Sequence, residues 1–352
     1  MTPRDLHPAA WWVWAIGLAA AASSTINPIV LVLVVGAACL VVVARRSEAP
    51  WAWSFRMYLY LGALIIVIRV FFRVVFGGSP DEVVLFSLPQ IPLPDVAAGI
   101  ELLGPVTRAD VVVGLYDGLR LAAIVLCFGA ANTLANPKRM LKSLPPALYE
   151  AGTAVVVALS VFPQLAESVV RVRRARHLRG DAGKGVGALR RIVLPVMEDA
   201  LDRSMFLAAG MDARGYGRAG TASRTERLAT GAFLIAGLVG VCIGFYSLLD
   251  ATAPRVLAWP FIGLGVVLAV GGFVSAGRRV QRTRYRPDPW RFAELATIGC
   301  GAVVAVAVMT ASVPVAYPSF DVVPQVTVPV LVAVMIAVMP AFLTPPPQEQ
   351  GS

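Results

Sequence analysis

Apolar residues in this chain come in long blocks of about twenty, set apart by short polar stretches. The first block runs from Pro8 to Ala44 and is interrupted at Ser23-Ser24-Thr25-Ile26-Asn27-Pro28. It is too long for one pass of about 20 residues, so two passes joined by a tight turn are predicted, roughly 9–24 and 27–44. It also exceeds the core of a signal peptide, and no clean cleavage site follows, so it is expected to be retained. A third span is predicted at 55–76. From Gly77 to Thr107 the chain carries Pro80, Pro89, Pro92, Pro94 and Pro105, which rules out one continuous helix. A fourth span covers 110–133.

The pattern then changes. Residues 134–227 are dense in charge and are broken only by the apolar stretch Ala151 to Phe162. Spans resume at 228–249, 257–276, 293–313 and 326–343, followed by a proline-rich tail, 344–352, expected to be disordered. The fold class is therefore an all-α polytopic membrane protein with about eight transmembrane helices. Its regions are 1–133, N-terminal spans; 134–227, a hydrophilic region; 228–343, C-terminal spans; and 344–352, the tail.

Composition agrees with this pattern: 57% of residues are apolar and 15% charged, against about half and a quarter in a soluble domain. The net charge of +10 is explained by where the cations lie. Segments 45–56, 134–227 and 277–291 hold 25 of the 31 Lys and Arg residues. Cytoplasmic loops carry such an excess. The expected location is the cell membrane, with both termini cytoplasmic and no role for nucleic acid. Cysteines introduced at positions 184 and 282 should be labelled only from the cytoplasmic side in intact cells; labelling from outside would overturn this topology.

Three cations lie inside spans. Arg69 and Arg73 share a helix face, and Arg120 follows Asp117 by three residues. Such residues form ion pairs, snorkel to headgroups or line a substrate path. Cys39, Cys127, Cys242 and Cys300 stand singly in apolar stretches, and only two histidines occur. No metal site and no cofactor are expected. Gly183-Lys184-Gly185-Val186-Gly187 lacks the order of a phosphate-binding loop and reads as a flexible connection.

The hydrophilic block carries the remaining signal. Residues 191–214 are predicted as one helix about 36 Å long, with Leu194, Met197, Leu201, Met205 and Ala208 forming an apolar stripe. Glu198, Asp199, Asp202 and Arg203 lie off the stripe, on a face read as solvated. Residues 164–179 are predicted as a second, more basic helix. Both end alike, in Leu178-Arg179-Gly180 and Ala213-Arg214-Gly215. A last-turn arginine complements the helix dipole, but a guanidinium at a helix tip also suits carboxylates or carbonyls on a partner.

Residues 136–217 resemble the T component of energy-coupling-factor transporters, the family of the cobalt-transporter Q subunit. That family has two long cytoplasmic coupling helices, each ending in small residue, Arg, small residue. Met211-Asp212-Ala213-Arg214-Gly215-Tyr216-Gly217 matches the second motif, and Leu194-Pro195 and Arg203 fit the pattern before it. The first motif usually reads Ala-Gln-x-Ala-Arg-Gly; here it is Ala175-Arg176-His177-Leu178-Arg179-Gly180. Arg179 or Arg176 is then the first contact residue, and the shared Arg-Gly favours Arg179. The spans beyond about 256 are additional to the usual family core. The resemblance implies a subunit that is not an enzyme. It implies two ABC ATPase subunits as partners, engaged through Arg179, Arg214, Ala213, Gly215, Gly180, Leu178 and Arg176. It also implies a membrane S component that binds a vitamin or metal ion. The alternatives are a stand-alone permease or an integral-membrane enzyme using Glu198, Asp199 and Asp202.

Overall fold

The computed structural model describes residues 6–46, 54–76, 83–87, 89, 104–143, 148–180, 186–215, 223–250, 254–278, 290–319 and 323–346. Each of the eight predicted spans is helical. Helix α1 spans Pro8–Ser23 and α2 spans Pro28–Arg45. Both open with proline at the first turn, where a missing N–H costs nothing. His7 and Asn27 cap them, accepting from the Ala9 and Ile29 amides. Helix α3 is Phe55–Phe76. Within the proline-rich stretch, β1 (Val84–Ser87) pairs antiparallel with β2 (Pro105–Thr107). Thr107 and Asp110 form a reciprocal capping box that starts α4, Arg108–Leu134. After α5 (Pro137–Lys142) come α6 (Tyr149–Leu178) and α7 (Val186–Ala213). The chain continues with α8 (Arg224–Leu249), α9 (Ala258–Arg278), α10 (Phe292–Met309), α11 (Val313–Ala316), α12 (Val328–Val338) and α13 (Pro340–Leu343).

Among the described residues, seven helical segments are long and apolar enough to cross a membrane: α2, α3, α4, α8, α9, α10 and, within α6, Ala151–Leu178. The first and last predicted spans are shorter apolar helices, Pro8–Ser23 and Val328–Leu343. Helix α1 has 16 residues and reaches only about 24 Å, short of a hydrocarbon core of about 30 Å. The α6 segment qualifies because its N-terminal half is apolar. This helix does not begin after Pro163 as predicted: Pro163 lies inside it, and Pro195 lies inside α7, which starts at Val186 rather than at 191. Each proline forgoes one backbone bond, but turns on both sides carry the helix through.

The chain divides into two units, residues 1–140 with 288–352, and residues 141–287. The first differs from the sequence-derived boundaries because its last helices return to the N-terminal ones. Its core is built by α1, α2, α4, α10 and α12 around Trp14, Leu18, Val34, Val41, Cys127, Val304 and Val334. Helices α1 and α10 lie so close that a Cβ on Gly301 would sit 2.7 Å from Trp14 Cα. Buried polar groups tie the same elements together. Trp14 Nε1 donates to Ala337 O at 3.2 Å, and Thr25 Oγ1 to Ala316 O at 2.7 Å. Asn27 Nδ2 donates to Val315 O and Gln325 O, both at 2.9 Å. Arg45 donates through Nε and Nη2 to Ala341 O. Thr344, assigned above to a disordered tail, is buried, and its hydroxyl bonds Pro340 O at 2.7 Å; residues 347–352 lie outside the described residues.

Helix α3 packs on α4 through glycines: a Cβ on Gly118 would meet Ile66 Cα at 2.9 Å, and one on Gly114 would meet Val70 Cα at 3.1 Å. This is the small-xxx-small contact of membrane helices. The opposite face of α3 leaves Tyr60, Val67 and Phe71 exposed, which suits lipid and not water. Arg73 pairs with the buried Asp110 at 3.4 Å. Arg120 bonds the backbone oxygen of Ser23 rather than Asp117, because its long side chain reaches the end of α1. All four cysteines are free thiols, and Cys127 and Cys300 are buried packing residues.

In the second unit α8 and α9 meet along Gly237, Gly244 and Gly265, where an added Cβ would lie 2.4–2.6 Å from the facing helix. Helices α6 and α7 form the other pair.

Candidate functional site

The two helix ends singled out in the sequence share one geometry. Helix α6 stops at Leu178, with Arg179 as its C-cap; Gly180 follows at φ +73° and donates its N–H to His177 O at 3.1 Å. Helix α7 stops at Ala213; Gly215 follows Arg214 at φ +77° and donates to Asp212 O at 2.9 Å. Only glycine enters this left-handed region without strain. The glycines therefore end both helices sharply and leave the arginines at the tips. Arg179 and Arg214 are exposed, and neither guanidinium has a partner among the described residues. Leu178 is 87% exposed. Arg176, three residues earlier, is half-buried and engaged by another group. Of the two arginines left open by the first motif, Arg179 is the one presented outward.

The structure also shows a contact the sequence did not suggest. Asp199 of α7 accepts from Ser168 Oγ of α6 at 2.7 Å and from Arg203 Nε at 3.0 Å. Arg171 lies 3.8 Å from the same carboxylate, and Arg203 Nη1 reaches Gln164 Oε1 at 3.5 Å. The bond from Ser168 and the bond and charge of Arg203 hold the Asp199 carboxyl below the usual carboxylate range. It is thus ionised at neutral pH, and the stabilisation it brings is lost only as pH falls below about 3.9. Ser168 and Val196 are buried at this crossing. Asp199 and Arg203, read above as part of a solvated face, are therefore the face that meets α6. The usable signal was spacing: Asp199 and Arg203 are one turn apart, as are Gln164 and Ser168, with Arg171 on the same face.

The apolar stripe faces the other way. Leu194, Met197, Leu201 and Met205 are 53–71% exposed, so the amphipathic helix presents its apolar side away from α6. Among the described residues no group of three or more His, Cys, Asp or Glu side chains could hold a metal ion. Of the glycine-rich connector, 181–185 lie outside the described residues, and Gly187 falls within α7.

A family model described as CbiQ, cobalt transport protein, matches residues 2–226. The match covers α1 through α7 and stops at the start of α8. No curated protein matches the chain.

Proposed function

The chain belongs to the CbiQ cobalt transport protein family, and from that premise we propose that it is the transmembrane coupling subunit of an energy-coupling-factor importer. The observation that carries this reading is the pair of crossing helices, α6 and α7, each ending in an exposed arginine that has no partner among the described residues and is fixed in place by a left-handed glycine. Arg179 and Arg214 each enter a groove on one of two ABC ATPases, where a forked guanidinium meets carboxylates or carbonyls. ATP-driven closure of the ATPases moves the tips. The exposed stripe of α7, from Leu194 to Met205, passes the movement to a small membrane S component that carries a vitamin or metal ion. The subunit lies in the cell membrane, its termini and the tips of α6 and α7 facing the cytoplasm. It performs no catalysis, and the basic half of α6 stays outside the lipid, where burial of its arginines would be costly.

Affinity purification from native membranes in mild detergent tests this reading. The tagged subunit should bring two ABC ATPases and a small membrane protein, and ATP should bind that assembly. The chain purified alone should neither bind nor hydrolyse ATP. Saturable nucleotide affinity in the isolated chain, or a chain that never brings an ATPase, would overturn it.

A further inference from the structure

Helices α6 and α7 have 30 and 28 residues, and the contacts that link Gln164, Ser168 and Arg171 of one to Asp199 and Arg203 of the other all lie within 164–171 and 199–203. These positions are near the middle of each helix. Ser168 stands ten residues before Leu178 and Asp199 fourteen before Ala213, so the contact lies about 15 Å and about 21 Å from the two tips. Two rods joined at mid-length transmit a push at one end to the other only if the joint holds. Val196 is the only buried apolar residue on the described part of α7, and on that of α6 only Gly152, near the helix start, and Ser168 are buried. Few side chains are buried along either helix, so the joint leans on the Asp199 network.

We propose that Asp199 is a positioning residue for energy coupling: with Ser168, Arg171 and Arg203 it pins α6 to α7, so that movement of the two arginine tips is delivered as one motion. The proposal rests on the coupling-subunit reading. The carboxylate suits the task because it takes a hydroxyl and a guanidinium from different directions at 2.7 and 3.0 Å, and such charge-assisted bonds hold their geometry. Asp202, three residues on, makes no such bond among the described residues and serves as the internal control. Without the pin each tip still docks on its ATPase, since docking uses groups about 15–21 Å away. The tips then move independently, and hydrolysis proceeds without transport.

The test uses the full complex in liposomes, with three readouts: ATPase retained on the tagged subunit, ATP hydrolysed, and substrate taken up. Asp199→Ala should keep retention and hydrolysis near the wild-type level and lower uptake by at least about tenfold, the effect of deleting one charge-assisted hydrogen-bonding group. Asp199→Asn keeps an oxygen for the Ser168 hydroxyl and should fall between. Asp202→Ala should match wild type. Should Asp199→Ala fail to reach the membrane, Arg203→Lys, which keeps the charge and loses the fork, should still lower uptake severalfold at normal retention. Normal uptake in these variants, or uptake lost only in proportion to ATPase retained, would overturn the proposal. If the wild-type chain retains no ATPase, the coupling-subunit reading itself fails, which separates the two outcomes.

Discussion

Reversing both tip arginines, Arg179→Glu with Arg214→Glu, abolishes ATP-driven uptake and releases the ATPases while the subunit stays folded in the membrane. The intramolecular cost is small. Neither guanidinium has a partner within the described residues, and the turns that end the helices are closed by backbone bonds at Gly180 and Gly215, which the substitution leaves alone. What the chain itself loses is the dipole complement, about 0.3–1 kcal/mol per helix end. At an interface the cost is larger. Removing one partner of a buried charged contact costs about 2–5 kcal/mol, and reversal brings repulsion as well. Each single reversal leaves one groove occupied and gives a partial defect. The measurements are uptake by the reconstituted complex and ATPase retention on the tagged subunit. Unchanged values for the double variant at normal membrane levels would reduce both arginines to helix caps and remove the main support for coupling.

Gly301→Leu, by contrast, prevents the first unit from closing, and Gly299→Leu does not. The two glycines are two residues apart on α10. At Gly299 a Cβ meets nothing within 4 Å, whereas at Gly301 it meets Trp14 Cα at 2.7 Å and Trp14 O at 2.8 Å. Those are backbone atoms of α1 and cannot rotate away. A leucine forces the two helices apart, and overpacking of this kind costs about 1–3 kcal/mol or more. The displacement also strains the bond from Trp14 to Ala337, whose buried donor costs about 1–3 kcal/mol when left unpaired. A surface leucine at 299 should lie within about 0.5 kcal/mol of wild type. The yield of monodisperse protein and its unfolding temperature in detergent report both outcomes. The family match ends at residue 226, so if the later helices were dispensable appendages, Gly301→Leu would be silent.

Much of the layout is legible in the sequence, for physical reasons that also explain the rest. The break between α1 and α2 could be read because Asn27-Pro28 both caps and starts a helix. The two tips could be read because an Arg-Gly ending has one common backbone solution. Pro163 misled because a proline costs a helix only one bond and some steric strain, which long flanking turns absorb, as they also do at Pro195 inside the predicted 191–214 helix. Helix pairing was hidden for a different reason. In lipid an apolar residue is content on either face, so periodicity does not separate the buried Val304 from the exposed Val306. The return of α10 and α12 to α1 and α2 is therefore invisible in composition. Asp199 was misread because a carboxylate on a charged helix has the same sequence signature whether it meets water or Ser168.

The stitches at Thr25 and Asn27 join residues 288–298 apart in the chain. A ribosome adding about 5–20 residues per second takes roughly 15–60 s to cover that distance. Through that interval α1 and α2 are made but the Thr25 hydroxyl and the Asn27 side-chain amide have none of their final acceptors, and a free amide in hydrocarbon is expensive. The turn must wait at the headgroup level, where water substitutes, until Val315, Ala316 and Gln325 emerge. The first unit is thus the first to begin and the last to finish, and it stays open while the whole of the second unit is made.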